Sequence, residues 1–320
     1  MKKLLLSASL LMMLFSCQNE EKLGTDDTTP IASARKCESD EVLKRQLLEN
    51  PGMAQRLQEI EDFTNEFIEH GHHNRLVNGK IEIPVVVNVL YKTTAQNVSL
   101  AQIQSQIDVL NKDFNATNSD YNSVPALFSG VKANVGITFV LDQVVRKSTT
   151  KTSWGTADAM KKTNKGGIAP TSPTTKLNLW VCAIGNGILG YAQFPGGASA
   201  TDGVVIDYRY FGTTGTATAP FNLGRTGTHE VGHWMNLRHI WGDTTCGNDL
   251  VADTPTHNTA NYGIPAYPHY STCSGTPVEM TMNYMDYTDD AGMYMFSLGQ
   301  KARMNAIFAV GGARNSFAQP

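Results

Sequence analysis

Apolar residues recur along this chain in two rhythms, and the rhythm switches where one element gives way to the next. Between Ser39 and His70, Val42, Leu43, Leu47, Leu48, Met53, Leu57, Ile60, Phe63, Phe67 and Ile68 return at steps of three and four among charges, interrupted only by Pro51-Gly52. That spacing puts them on one helical face, so two amphipathic helices are predicted. Gly71-His72-His73-Asn74-Arg75 breaks the pattern. Ile81 to Tyr91 (IEIPVVVNVLY) is β-branched and apolar along most of its length, the signature of a buried strand. Ser99 to Asn115 carries Ile103, Ile107, Leu110 and Phe114 at helical spacing, with Ser99 placed to cap it. Val135 to Val145 alternates like a strand, and Leu177 to Ile184 and Gly203 to Tyr208 add two more. Lys147 to Gly167, polar and rich in Lys and Thr, reads as a surface excursion. Leu223 to Leu237 reads as a helix, and so does Ser297 to Ala309, where Ser297 and Gln300 have capping-box spacing. This order fits an α+β fold, a mixed sheet backed by helices, with no internal repeats.

Chemistry concentrates in the first of those late helices. Thr228-His229-Glu230-Val231-Gly232-His233-Trp234-Met235-Asn236-Leu237-Arg238-His239 contains H-E-x-x-H and a third His six residues on. His229 and His233 are four apart, so both imidazoles project from one helical face and can grip one Zn²⁺. Glu230 stands beside the first of them, within reach of a water at that metal. His239 cannot continue on the same face, so the chain must turn. Asn236 is the pivot, since Asn is second only to Gly in adopting the left-handed conformation that ends helices. Three His with an open fourth position describe a catalytic zinc site, not a structural one.

This stretch resembles the metzincin signature H-E-x-x-H-x-x-G-x-x-H, with Asn236 where Gly is usual. Extended through Ile240-Trp241-Gly242-Asp243, it is similar to the pappalysin family, in particular its cytophagalysin-type members. Asn283-Tyr284-Met285-Asp286-Tyr287 matches the Met-turn that metzincins carry downstream. The resemblance implies a metzincin catalytic domain with a mixed twisted sheet, an active-site helix and a Met-turn, preceded by a small helical pro-segment. It implies a zinc endopeptidase in which Glu230 moves the proton, Tyr287 donates to the oxyanion and Met285 lies under the metal. Leu189-Gly190-Tyr191-Ala192 would be the edge strand that pairs with extended substrate. Asp289-Asp290 follow the Met-turn, and Asp290 matches the family position whose carboxylate selects Arg or Lys after the scissile bond; either Asp could instead be solvated.

Five Cys are present. Cys246 and Cys273 flank a loop-rich stretch, and the family has a bridge at matching positions; closing that loop would supply about 3 to 4 kcal/mol. Cys182, in an apolar strand, reads as a buried free thiol. Cys37 could reach the fourth zinc position and silence a zymogen, as cysteine switches do in some pappalysins, although Glu38 replaces the usual Gly; a disulfide or an idle thiol is the alternative. The loop from Gly242 to Pro255 offers carboxylates and hydroxyls suited to structural Ca²⁺, with Asp249 and Asp253 as candidate ligands and a solvated loop as the alternative. His257 and His269 read as incidental.

Ahead of all this, Met1-Lys2-Lys3 and the apolar run Leu4 to Phe15 form a signal peptide too short to span a membrane. Leu14-Phe15-Ser16-Cys17 looks like a lipobox, which implies cleavage before Cys17 and its lipidation. The organisation expected is 1–17 signal, 18–75 tether and helical pro-segment with a maturation cut near its end, and 76–320 catalytic domain. With 41% hydrophobic and 17% charged residues, 320 residues suffice for one sizeable core. A net charge of −3 leaves no electrostatic footprint for nucleic acid or an anionic membrane. The partners expected are protein or peptide substrates, the membrane contact is a lipid anchor alone, and the chain is a monomer or weak dimer, exported or held at the cell surface. Two other readings compete: a degenerate surface lipoprotein that binds peptide, and a non-proteolytic zinc hydrolase.

Overall fold

The computed structural model describes residues 32–70 and 81–318. The signal segment with Cys17, residues 18–31 of the tether and the junction near residue 75 lie outside them. No described helix is long and apolar enough to cross a membrane.

Two helices come first, α1 (Ser39–Glu49) and α2 (Met53–His70). There follow β1 (Ile81–Tyr91), α3 (Leu100–Phe114), β2 (Lys132–Ala133), β3 (Ile137–Ser148), β4 (Leu177–Cys182), β5 (Gly190–Ala192) and β6 (Val204–Asp207). The chain then forms α4 (Arg225–Trp234), β7 (Phe296–Ser297) and α5 (Leu298–Ala306). The main sheet has the order β3-β1-β4-β6-β5. Its first four strands are parallel and β5 joins antiparallel at one edge. β1 lies inside the sheet and is buried on both faces, which is why its sequence is a continuous apolar run and not an alternation. α3 starts where Ser99 Oγ accepts from Gln102 N, and α5 starts on the Ser297–Gln300 capping box. α3 and α4 pack together beneath the sheet, sharing its core of Ile83, Val85, Val87, Leu110, Phe114, Val231 and Trp234.

Three sequence expectations need correction. The strand expected at Val135 to Val145 runs from Ile137 to Ser148, because β1 offers it a ladder from Ile81↔Ile137 to Tyr91↔Ser148. The stretch beyond it is no mere surface excursion, since Trp154, Met160 and Lys161 are buried. The Lys161 ammonium meets Asp158 at 2.9 Å and Thr201 O at 2.7 Å, under the ring faces of Trp180 and Tyr191, so its burial is compensated. The active-site helix is shorter than Leu223 to Leu237. It opens after left-handed Gly224 (φ 77°) and ends where Leu237 N returns to Gly232 O at 3.0 Å and Asn236 N to His233 O at 3.0 Å. That pair of bonds is a Schellman motif with Asn236 (φ 69°) at its left-handed position.

Candidate metal centre and cleft

All ten residues of α4 are buried, so its ligand face is held rigidly from within the core. His229 and His233 project from adjacent turns, with their Nε2 atoms 3.2 Å apart. The turn at Asn236 carries the chain back, and His239 Nε2 arrives 3.1 Å from that of His233. Each outer ring nitrogen has a partner: His229 Nδ1 lies 2.7 Å from Tyr284 O, His233 Nδ1 lies 2.8 Å from Leu237 O, and His239 Nδ1 meets the Asp243 carboxylate. Burial first, and then the neighbouring imidazoles, hold His229 well below its ordinary value and His233 at about 3. Neutral rings are the form that ligates a metal.

The sulfur of Cys37 completes the cluster: its Sγ and one nitrogen from each of the three His lie within 4.8 Å of one another, all buried. Three imidazoles turned inward by partners on their outer nitrogens, with a soft sulfur at the open side, fit Zn²⁺ in number, type and spacing.

Cys37 reaches this position because the chain around it extends the sheet. Leu189 N donates to Lys36 O at 2.9 Å and Glu38 N to Gly190 O at 3.2 Å, a short parallel pairing on the free edge of β5. Two residues on, Ser39 Oγ donates to Glu230 Oε2 at 2.9 Å while accepting from Ala192 N at 2.8 Å. The Cys37 thiol also faces Glu230 Oε2, at 3.3 Å. Burial pushes Glu230 up to about 7, opposed by these two hydrogen bonds. Burial and then the Glu230 charge push the Cys37 thiol well above its usual value. Tyr287 Oη donates to Cys37 O at 2.9 Å, and its ring packs against His239 and Trp241.

Two residues the other way, Arg35 enters a closed pocket. Its Nη2 meets Asp290 Oδ1 at 2.6 Å, Nη1 donates to Thr226 Oγ1 at 3.2 Å, and Nε donates to Thr288 O at 3.2 Å. The guanidinium also lies over Phe221, 5.0 Å from the ring centroid. The second Asp290 oxygen takes Leu223 N at 2.7 Å and Arg225 N at 3.3 Å, so the start of α4 fixes the carboxylate. Asp290 is fully buried and Asp289 is only partly so.

The floor of the cleft is the segment around Met285, which is fully buried. Its carbonyl accepts from Ile240 N at 3.1 Å, tying the turn to the chain beyond His239. A Cβ on Gly232 would stand 2.5 Å from Met285 Sδ, so only glycine lets the two approach. Asp286 holds Tyr287 N and Asn261 N, each at 2.8 Å, through one carboxylate oxygen. Its other oxygen lies 3.5 Å from His257 Nδ1, while His257 Nε2 accepts from Met280 N at 2.9 Å. His257 is therefore not incidental: the ring is fully buried and braces the turn from below. His269 is half-exposed, 3.6 Å from Glu279.

Cys246 and Cys273 are joined in a disulfide, and Cys37 and Cys182 are buried free thiols. The two candidate calcium ligands part ways. Asp249 faces Thr254 Oγ1 at 2.9 and 3.0 Å, which in turn lies 2.9 Å from Val251 O, a close group of oxygens. Asp253 instead accepts from Ser297 Oγ at 2.6 Å and Gly299 N at 2.8 Å, capping α5.

Arg35, Ser39, Thr226 and Asp243 escape sequence reading. Their chemistry exists only once distant segments meet, though the closeness of Arg35 to Cys37 was a signal available for the first.

The peptidase family described as "Pregnancy-associated plasma protein-A" matches residues 177–309. An extracellular metalloprotease of Pyricularia oryzae is 35% identical over 243 residues, 72% of this chain and 75% of that one. Among solved structures, Tannerella forsythia mature mirolysin in complex with a cleaved peptide is 43% identical, covering 75% of this chain and 96% of the other, with a TM-score of 0.73. A Tannerella forsythia promirolysin mutant is 40% identical with a TM-score of 0.79, covering 89% of this chain and 97% of that one.

Proposed function

Because the chain belongs to this pappalysin family and is a metalloendopeptidase of metzincin fold, we propose that it is made as a latent precursor which, once freed of residues 18–75, cuts proteins or peptides before Arg or Lys. The observation that carries the reading is the seating of the N-terminal segment. Arg35 fills the Asp290 pocket while Cys37, two residues on, reaches the three His. A pocket that neutralises one guanidinium through a buried carboxylate, a hydroxyl, a carbonyl and an aromatic face suits the same group on a substrate.

The direction of the segment supports latency. In a chain cut before Arg, the residue preceding Arg lies over the metal. Here the residue over the His cluster follows Arg35, so the segment lies in the cleft in the reverse sense. It satisfies the pocket without presenting a bond for attack. Meanwhile the Ser39 hydroxyl and the Cys37 thiol occupy Glu230.

His229, His233 and His239 would hold the zinc, which when bound supplies Lewis acidity to polarise the scissile carbonyl and activate water. With the segment gone, Glu230 is free to take a proton from the attacking water and pass it to the leaving amine. Tyr287, whose hydroxyl already donates to a peptide carbonyl at this spot, would donate to the oxyanion. The edges of Leu189, Gly190 and Ala192, released by Lys36, Glu38 and Ser39, would pair with extended substrate. The Asp249–Thr254–Val251 oxygens are proposed to hold a structural Ca²⁺. Relatives named extracellular metalloproteases support export, and a lipid on Cys17 would hold the precursor at the membrane until the cut near residue 75 releases the catalytic domain.

The test uses a chain starting after Cys17 beside its Glu230→Ala partner, each incubated with an unfolded protein with and without a zinc chelator. Mass spectrometry of the new N-termini is expected to show chelator-sensitive cuts before Arg or Lys, absent in the variant. No cuts even after residues up to 75 are removed would sink the proposal.

A further inference from the structure

The three His of the cluster are not supported alike. His229 and His233 stand on a buried helix, and the carbonyls that hold their outer nitrogens belong to residues fixed by backbone bonds: Tyr284 N donates to Met295 O at 3.0 Å and Leu237 N to Gly232 O at 3.0 Å. His239 stands beyond the helix, past the left-handed turn at Asn236. Its outer nitrogen meets no carbonyl. It meets the Asp243 carboxylate, four residues on. That carboxylate returns to the ring because Gly242 (φ 63°) and Asp243 (φ 58°) both take the left-handed conformation. Gly242 N closes the turn on His239 O at 2.8 Å, and a Cβ on Gly242 would stand 2.3 Å from Asn248 N. Trp241, between them, stacks on the His239 ring with centroids 4.3 Å apart and planes 10° apart. Among the described residues, His239 is the only hydrogen-bond partner of the Asp243 side chain.

We infer that Asp243 is a positioning residue for the metal: through its contact with His239 Nδ1 it fixes the tautomer and plane of the ligand the helix cannot hold. The contact leaves Nε2 with its lone pair aimed at His229 and His233. A carboxylate does this more strongly than a carbonyl, because its negative charge also raises the basicity of the ring. Trp241 limits tilt of the ring, and Asp243 limits its rotation. A strained, left-handed non-glycine residue is thus kept at the one ligand that needs a substitute for helical support.

This rests on the zinc reading above, and the experiment separates the two. Zinc dissociation constants are measured by chelator competition on the full-length protein and on Asp243→Asn, Asp243→Ala and Asp243→Glu, with the melting temperature of each metal-stripped form. Asp243→Ala is expected to weaken zinc by about 10- to 100-fold. Asp243→Asn, which keeps an acceptor but loses the charge, should fall between Ala and wild type, and Asp243→Glu should recover part of the loss. The metal-stripped melting temperatures should stay together. Unchanged zinc affinity in Asp243→Ala, or a metal-stripped melting temperature that falls as far as the zinc-loaded one, overturns the inference and makes Asp243 a loop residue only. Wild-type protein that takes up no zinc overturns the inference together with the metal reading beneath it.

Discussion

The two walls of the cleft are built by different means. One is the sheet and the helices beneath it, residues 81 to 234, where ladder and helix bonds repeat and the core is apolar. The other, from Met235 to Tyr294, contains among the described residues only one 3-10 turn, Asp290–Gly292, as regular structure. It holds its shape through single devices: left-handed Asn236, Gly242, Asp243, Cys246 and Leu250, one disulfide, and buried His257 against Asp286. The first wall spreads its stability over many equivalent bonds. The second concentrates it in a few groups, each with its own failure. A damaged sheet should therefore weaken the whole molecule, and a damaged loop wall should weaken itself.

The largest effect is expected from Ile83→Ala, which empties a fully buried position in β1. A loss of about 2–5 kcal/mol is expected, with hydrogen exchange rising across both walls. Replacing Cys246 and Cys273 together by Ser should cost about 3–4 kcal/mol through the freed loop. There the exchange should rise across residues 236–292 and leave the sheet protected. Equal loss of protection in β1 would show one cooperative unit and end the comparison.

Gly232→Ala tests the seam between the walls. Helix propensity favours it by about 1 kcal/mol, but the new methyl meets Met285 Sδ, and overpacking of that kind costs about 1–3 kcal/mol. The clash should win, with a net loss of up to about 2 kcal/mol and weaker zinc retention by chelator competition. A more stable variant would mean that the Met285 floor yields easily.

The smallest effect is in the sheet wall. Burial lifts Asp113 of α3 to about 6, although Arg225 and Thr228 oppose it. A carboxyl raised on folding lends stability below its unfolded value and loses it as pH rises through the folded one. Lowering the pH from 7.5 to 5 should thus gain about 1 kcal/mol from this residue. Asp113→Asn should flatten that part of the melting-temperature profile; an unchanged profile would assign the gain elsewhere.

The same division explains what the sequence reveals. β1 and α3 can be read from it within a residue or two, because an apolar run and a spaced stripe with Ser99 ahead of it are local patterns that burial rewards directly. His229, His233 and His239 are legible through the fixed offsets that a helix and one turn impose. The loop wall is legible only at its motifs. His257 looks idle in sequence because its use depends on Met280 and Asp286, more than twenty residues away. The bonds of Asp253 to Ser297 and Gly299 at the start of α5 are just as hidden, since those partners lie more than forty residues on. Lys161 is misplaced for the same reason: its burial is compensated by Asp158 and Thr201, and periodicity cannot report a partner.

The pairing of Lys36 and Glu38 with β5 has a further consequence, one of solubility. An open sheet edge is a template for any extended chain, including a neighbour's. While the N-terminal segment lies along it, part of that edge is covered and three of its backbone groups are spent. Under the proposed maturation, the step that opens the cleft to substrate also uncovers this adhesive edge, so the enzyme becomes competent and prone to self-association at the same moment. Storage as the precursor would then protect the protein from itself as well as its surroundings from the protein.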